Sequence, residues 1–326
     1  MPASLDNTLV VAISSRALFN FEEENKLFEQ GDESAYMDLQ WRRVDNIASP
    51  GVGFNLCRKL LALNESPDNV KRTEIVVLSR NDPISGLRVF KSAAHHGLAV
   101  TRGAFLRGGD VYPYLAPFRA TLFLSADPAD VKHALDERIP AATVQARTAN
   151  EDKHPFELRI AFDGDSVLFS DEAERVFRAQ QLAGFRQHEA EHAGDPLPAG
   201  PIQPFLLALH KLQSSLPTDS PMKIKTALVT SRGAPAHERA LRTLVEWRVS
   251  VDNAFFLDGL AKTEFLNIFS ADFFFDDQLA HVDPAAQFVG TGHVPYGIAN
   301  APTQAVIVEA TRQTVSTQSL ETESDV

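Results

Sequence analysis

The sequence contains a single cysteine, Cys57, and no long hydrophobic run. One thiol cannot form an intramolecular disulfide, which is typical of proteins in a reducing compartment. No stretch approaches the roughly 20 apolar residues that cross a bilayer, and the N-terminus lacks the basic start and apolar stretch of a signal peptide. We therefore expect a cytoplasmic protein without a membrane segment, and we interpret Cys57 as a buried thiol in an apolar helix.

Positive charge is also scarce. The 326 residues include 31 Lys and Arg against 43 Asp and Glu, a net charge of −12. This balance argues against binding to nucleic acid polymers or to anionic lipid, so a site for a small anion would need a local positive field. Hydrophobic residues make up 44% of the chain, which is enough to build a core in one large domain or two medium ones.

The two halves of the chain resemble each other at a constant shift of 151 positions. The matches include Pro50 with Pro201, Phe54 with Phe205, Ser79 with Thr230, and Phe105–Leu106 with Phe256–Leu257. They predict an internal duplication, although any two halves built from alternating strands and helices share some pattern. The polar, strandless stretch 145–155 suggests a linker, so we expect a first half at 1–150, a second at 151–310 and a disordered tail at 311–326.

Each half alternates apolar strands with amphipathic helices. The runs LRIAF, KTALVT, VDNAFFL and ADFFF are apolar throughout, which is typical of parallel strands covered on both faces. This order predicts an α/β fold with a Rossmann-like, doubly wound parallel sheet.

Acidic pairs follow two strands of the second half. Asp163 and Asp165 follow LRIAF, and Asp276 and Asp277 follow ADFFF. Ligands of open parallel sheets bind beyond the carboxyl ends of the strands. Crowded carboxylates need a counter-cation, and an all-oxygen cluster suits Mg²⁺.

Two further residues suit phosphate binding. Thr230 ends the run KTALVT, and Lys262 precedes the helical run TEFLNIF. A hydroxyl and a cation near a helix N-terminus can hold phosphate oxygens, so the set predicts phosphoryl transfer.

The first half lacks these acids. Ser125 and Ala126 stand at the positions that correspond to Asp276 and Asp277, and Ser14 corresponds approximately to Asp163. We therefore expect the first half to be a catalytically inert scaffold or a wall of the substrate site.

The ordered set D163-x-D165, Thr230, Lys262 and D276-D277 resembles the four motifs of the haloacid-dehalogenase superfamily. The segments VAISSRALF, LFLSAD, LRIAFDGDSVLFSDE, FFFDDQ and HVPYG resemble, more narrowly, the cytosolic 5'-nucleotidase type I family. The resemblance implies a haloacid-dehalogenase-type fold with a small cap, here at about 170–201, that lines the nucleoside pocket. It also implies Mg²⁺-dependent hydrolysis of nucleoside 5'-monophosphates, with AMP favoured.

The resemblance also implies roles for individual residues. Asp163 attacks phosphorus and forms an aspartyl-phosphate, while Asp165 first protonates the leaving oxygen and then activates water. Thr230 and Lys262 hold the phosphoryl oxygens. The Mg²⁺ ligands are Asp163, Asp276 or Asp277, and the backbone carbonyl of Asp165. Weaker candidates for substrate contact follow Thr230 in the chain: Ser231, Arg232 and His237.

Several alternatives stay open at this point. The motifs equally allow a phosphatase of sugar phosphates or other small phosphomonoesters, and the degenerate half suggests a nucleotide sensor without turnover. The base and sugar preference and a homo-oligomeric state are also open. The strand-end loops 79–81 and 108–110 of the first half are further candidates for contact with the nucleoside or an effector. His188-Glu189-x-x-His192 matches a zinc-protease motif, but the helix ends at once and no third ligand follows, so we interpret it as part of a solvated, charged helix.

Overall fold

Ten strands form one continuous mixed sheet in the computed structural model, which describes residues 4–29 and 33–301. The strands are β1 (Leu9–Ile13), β2 (Thr73–Ser79), β3 (Arg102–Phe105), β4 (Leu122–Ser125), β5 (Ala141–Thr143), β6 (Glu157–Phe162), β7 (Lys223–Thr230), β8 (Asn253–Phe256), β9 (Phe273–Asp276) and β10 (Gly290–His293). Their order across the sheet is β3-β2-β1-β4-β5-β10-β9-β6-β7-β8. The expected α/β class is confirmed, and the predicted tail at 311–326 lies outside the described residues.

The two halves of the sheet have the same strand order. Read outward from the centre, the order is β5-β4-β1-β2-β3 in one half and β10-β9-β6-β7-β8 in the other, with parallel pairing inside each half. This agrees with the sequence repeat, while descent from a duplication stays a prediction. The halves merge edge to edge into a single sheet rather than packing as two separate ones.

One antiparallel contact joins the halves, between His293 of β10 and Thr143 of β5. Because every other pairing between these ten strands is parallel, the strands of the two halves run in opposite directions, and their carboxyl ends lie at opposite edges of the sheet. The loops 79–81 and 108–110 therefore lie away from the acids of the second half. The prediction that they contact the nucleoside at that site is wrong within one chain, and an effector role for them stays a prediction.

Helices cover both faces of the sheet. They are α1 (Ser15–Leu18), α2 (Glu22–Glu29), α3 (Glu33–Arg42), α4 (Phe54–Ala62), α5 (Pro83–His95), α6 (Pro128–Asp136), α7 (Glu172–Glu191), α8 (Gln203–Ser215), α9 (His237–Glu246), α10 (Lys262–Phe269) and α11 (Leu279–Ala285). Alternate residues of β6 enter different apolar cores: Ile160 and Phe162 face one, and Ala161 faces another. Covering on both faces explains why the strand sequences are apolar throughout.

Buried charge pairs also tie the halves together. Lys59 of α4 donates through Nζ to Asp272 Oδ1 at 2.6 Å and to the carbonyl of Glu157 at 2.9 Å, and it lies 2.8 Å from Asp152 Oδ1. Asp152 belongs to the strandless stretch 145–155, so this stretch packs against the domain, and the boundary at 150 stays a prediction. Cys57, on the same helix, is fully buried as expected, and burial raises its pKa.

Within residues 4–29 and 33–301, the structure has no helix of the length and apolarity that crossing a membrane requires.

Candidate active site

Asp163 lies at the carboxyl end of β6, at the centre of the second half. Its backbone N–H donates to the carbonyl of Phe275 at 2.8 Å, which fixes the end of β6 against the end of β9. The chain then turns sharply through 164–168, with Ser166 at φ 61°. The Asp163 side chain is only 7% exposed, and its Oδ1 accepts from Gly164 N at 2.7 Å and from Lys262 Nζ at 2.8 Å.

Lys262 joins the two acidic clusters that the sequence predicts. It begins α10, and its Nζ also donates to Asp276 Oδ2 at 2.6 Å. Asp276 is completely buried and is further held by the backbone N–H of Gln278 at 2.8 Å and by His281 Nδ1 at 3.1 Å. The structure thus brings Asp163, Lys262 and Asp276 together, as the motif order predicts.

His281 belongs to this cluster although the sequence analysis did not identify it. It follows Asp276 by five residues, on the first turn of α11. Ligand atoms of Asp163, Asp276 and His281 all lie within 4.8 Å of one another. We do not regard these three as a metal site, because Lys262 Nζ and His281 Nδ1 already occupy the carboxylate of Asp276. The only available signal was a histidine shortly after a strand-end acid, which is weak on its own.

Burial and charge shift the pKa values of the cluster in different directions. Burial is the largest of the causes that raise the pKa of Asp163 to about 7. Repulsion from Asp276 and Asp165 adds to the rise, and attraction from Lys262 offsets only part of it. Burial acts the same way on Asp276, but Lys262 and His281 outweigh it and hold its pKa below the ordinary value. The two carboxylates in turn raise the pKa of Lys262 despite its burial, so Lys262 remains a cation.

Asp277 differs from Asp276 in having no partner for its side chain. It is 3% exposed, and none of the residues described at 4–29 and 33–301 forms a hydrogen bond or ion pair with its carboxylate. Burial, followed by repulsion from Asp163 and Asp276, raises its pKa to about 9. Attraction from Lys262 offsets only part of this rise. A buried carboxylate without an ion-pair partner is costly, so this position is electrostatically suited to a cation.

Unlike its side chain, the backbone carbonyl of Asp277 accepts two hydrogen bonds. Its carbonyl accepts from His293 Nε2 and from Asn300 Nδ2, each at 2.9 Å. His293 is the first residue of the segment HVPYG, and Gly297 of the same segment packs so closely that a Cβ there would come within 2.9 Å of Ser166 Oγ. The segment after β10 therefore supports both acidic turns from one side.

Thr230 lies beside Gly164, in the turn that follows Asp163. It is 1% exposed, and a Cβ on Gly164 would come within 3.2 Å of its Oγ1. The glycine of D163-G164-D165 therefore lets the hydroxyl approach the turn closely. Thr230 Oγ1 also accepts from the backbone N–H of Arg232 at 3.2 Å.

Two helices of the first half are capped by a side chain, whereas α1 and α4 of that half are not. In the first half, Asp82 and Asp127 accept hydrogen bonds from the first backbone N–H groups of α5 and α6. In the second half, α9, α10 and α11 begin without a side-chain cap. The uncapped N–H groups at the start of α10, next to Lys262, are suited to an anion.

Asp165 does not contact Lys262 but pairs with Arg232. Arg232 donates from Nε to Oδ2 at 2.9 Å and from Nη2 to Oδ1 at 2.7 Å, a bidentate pair. Of the weaker candidates, Arg232 is thus a partner of the predicted acid. Ser231 is exposed, and the His237 ring packs edge-on against Phe256, so neither lies in the acidic cluster.

The HExxH segment is not the solvated helix that we expected from the sequence. Glu189 on α7 is completely buried and accepts from Arg232 Nη1 and, at 2.9 Å, from Arg239 Nη1. Helical periodicity did not reveal this, because the arginines that pair with Glu189 come from the loop after β7 and from α9. Glu172, His188 and Glu189 have ligand atoms within 4.8 Å of one another, but Arg239 Nη1 already donates to both glutamates.

Comparisons with known proteins agree with this geometry. A family model described as 5'-nucleotidase matches residues 1–301. Human "Cytosolic 5'-nucleotidase 1B" is 33% identical over 293 residues, which cover 87% of this chain and 48% of that protein. The chain therefore spans about half the length of this relative. No solved structure matches. With a family model that covers nearly the whole chain, and with the acids, hydroxyl and lysine converging on one edge of the sheet, the chain belongs to the 5'-nucleotidase family.

Proposed function

We propose that this chain hydrolyses nucleoside 5'-monophosphates to nucleoside and inorganic phosphate, in the cytosol, with Asp163 as nucleophile and Mg²⁺ as cofactor. The family membership and the name of the human relative support the reaction and the location. The observation that carries the proposal is the buried Asp163 carboxylate, 2.8 Å from Lys262 and next to the partnerless carboxylate of Asp277.

The metal site fits the residues present. Asp163 and Asp277, with the backbone carbonyl of Asp165, would hold the ion, while Asp276 remains paired with Lys262 and His281. An all-oxygen set of this kind suits Mg²⁺. When bound, the metal supplies positive charge that stabilises the phosphoryl oxygens in the transition state.

Groups on two elements, the end of β7 and the start of α10, would bind the phosphate. Lys262 supplies an ammonium, Thr230 a hydroxyl, and the start of α10 its uncapped backbone N–H groups. Together they would balance the charge of the phosphoryl group inside an acidic protein. Positioning and charge neutralisation are the main contributions that a protein makes to phosphoryl transfer.

In the first step, an Asp163 carboxylate oxygen forms a bond to phosphorus as the bond between phosphorus and the ribose 5'-oxygen breaks. Asp165 donates a proton to the departing oxygen, which as an alkoxide would leave poorly. In the second step, Asp165 takes a proton from water, the water oxygen attacks phosphorus, and the bond from Asp163 to phosphorus breaks. General acid–base assistance of this type contributes about 10²–10⁴-fold.

The nucleoside would contact α7, which belongs to the predicted cap at 170–201. Phe185 of α7 has its ring 5.7 Å from Arg232 Cζ, beside the partner of Asp165, and makes an edge contact with the exposed ring of Phe177. Aromatic faces at the mouth of a phosphate site suit a planar base.

A panel of phosphomonoesters tests the proposal. We expect phosphate release from AMP or IMP with Mg²⁺, none with a chelator, and loss of activity in Asp163→Asn. Asp219→Asn, at an exposed aspartate, is the matched control and should retain activity. Release only from sugar phosphates would replace the nucleotidase assignment with that of another phosphatase, and tight nucleotide binding without release would indicate a sensor.

A further inference from the structure

Arg232 is a buried guanidinium shared between two carboxylates on different elements. Its side chain is 1% exposed. Its Nε and Nη2 donate to the two carboxylate oxygens of Asp165. Its Nη1 donates to Glu189 and, at 3.2 Å, to the carbonyl of Ala236. The orientation of Asp165 is therefore set by a group whose far edge is fixed by α7.

Glu189 connects this arginine to the rest of α7. It also accepts from Arg239, and Arg239 donates to Glu172 at 2.8 Å, near the start of the same helix. Between these two attachment points, α7 is broken at Gln181, which has φ 58° and ψ −174°. The C-terminal segment of α7 is thus joined to the Asp165 turn by a continuous chain of charge-assisted hydrogen bonds.

The two arginines make different connections. Arg232 contacts both Glu189 and Asp165, whereas Arg239 contacts Glu189 and Glu172, and no hydrogen bond or ion pair joins it to Asp165 among the described residues. If the network only stabilised the fold, replacing either arginine should have the same effect on catalysis. Of the two arginines, Arg232 is the one that connects Glu189 of α7 to Asp165, the proposed proton donor.

The bidentate pair is compatible with proton transfer by Asp165. Each carboxylate oxygen has two lone-pair directions, and Arg232 occupies one on each oxygen. The remaining directions can carry the proton toward the leaving oxygen. The pair therefore aims Asp165 without occupying all of its acceptor sites.

We infer that Glu189 is a positioning residue for the acid–base step: it fixes the Arg232 guanidinium, and through it Asp165, so that proton delivery to the leaving group depends on α7. This inference rests on the proposed phosphatase function. It gives the glutamate of the HExxH segment a role in aiming a catalytic acid.

The test compares two substrates with different needs for an acid. When AMP reacts, the ribose 5'-oxygen of adenosine is a strongly basic leaving group that needs a proton, whereas the 4-nitrophenolate of 4-nitrophenyl phosphate is weakly basic and departs without one. The ratio kcat/KM reports steps up to formation of the aspartyl-phosphate, so it isolates the first proton transfer. For Glu189→Gln we expect kcat/KM to fall about 10–100-fold with AMP and less than about 3-fold with 4-nitrophenyl phosphate.

Three matched variants make the outcome decisive. Glu191→Gln, two residues away on the exposed side of α7, should leave both values unchanged. Arg239→Gln should lower thermal stability but keep the wild-type ratio between the two substrates. Arg232→Lys keeps the charge and loses the bidentate geometry, so it should reproduce the AMP-selective loss even if Glu189→Gln does not fold.

Equal losses with both substrates in Glu189→Gln or Arg232→Lys would overturn the inference, as would the same change of ratio in Arg239→Gln. A wild-type protein that hydrolyses neither substrate would contradict the proposed function itself. An active wild type with no selective loss in these variants would contradict only the positioning role.

Discussion

Replacing Lys262 with methionine should destabilise the protein strongly, because Lys262 is the main counter-charge of a buried acidic cluster. Its Nζ lies 2.8 Å from Asp163 Oδ1 and 2.6 Å from Asp276 Oδ2, and all three side chains are at most 7% exposed. Removing one member of a buried ion pair costs about 3–5 kcal/mol, since the remaining charge stays buried. At about 2 °C per kcal/mol for a chain of this size, Tm should fall by about 6–10 °C.

Thermal unfolding followed by circular dichroism, in chelator, measures this loss. The double variant Lys262→Met/Asp276→Asn removes one charge of each sign, so it should recover most of the lost Tm. It should still fail to hydrolyse AMP, because no ammonium remains to hold the phosphate. Unfolding of the single variant at the wild-type temperature would contradict the role of Lys262 as counter-charge, and regained activity in the double variant would contradict its role in phosphate binding.

Two further predictions concern other acids. Asp277→Asn should abolish Mg²⁺ binding in isothermal titration calorimetry while Asp276→Asn weakens it less, and equal effects would contradict the ligand assignment. In the first half, burial raises the pKa of Glu24, but Arg88 and Arg43 outweigh it and hold that pKa below its ordinary 4.5. This group therefore contributes stability above about pH 4.5 that is lost as pH falls through its folded pKa. Glu24→Gln should thus lower the free energy of unfolding at pH 7 by about 3 kcal/mol, measured by denaturant titration. The variant should also lose less stability than the wild type on acidification. The same loss of stability on acidification in both proteins would contradict this.

The sequence predicted the strands and helices around the site well because their signals are local. The strand runs of the second half are apolar throughout, and the rule that ligands bind at carboxyl ends of parallel strands was sufficient to bring Asp163 and Asp276 together. Thr230 and Lys262 follow from the same rule, since each lies at a strand end or a helix start.

The joining of the two halves could not be predicted in the same way. β5 and β10 are three and four residues long and are built from small or polar residues, AAT and GTGH. Such segments give no hydrophobic pattern, and their antiparallel pairing decides that the strand ends of the halves face opposite edges. The expected contact between the loop at 79–81 and the nucleoside failed for this reason.

The connection from Glu189 to Asp165 was hidden from the sequence for a different reason. A glutamate among polar helical residues looks solvated unless its tertiary partners are known. Here the partners are Arg232 and Arg239, more than 40 positions away along the chain. Burial of a charge depends on that pairing, which local patterns do not report.

We propose that Asp163 carries the phosphoryl group during turnover. In Asp165→Asn, 4-nitrophenyl phosphate should still phosphorylate Asp163, since its leaving group needs no acid, while the following hydrolysis lacks its base. Mass spectrometry of acid-quenched, protease-digested protein should then find one phosphoryl group on the peptide that contains Asp163, and none after the further change Asp163→Asn. A phosphoryl group on another residue, or turnover that persists in Asp163→Asn, would contradict the account.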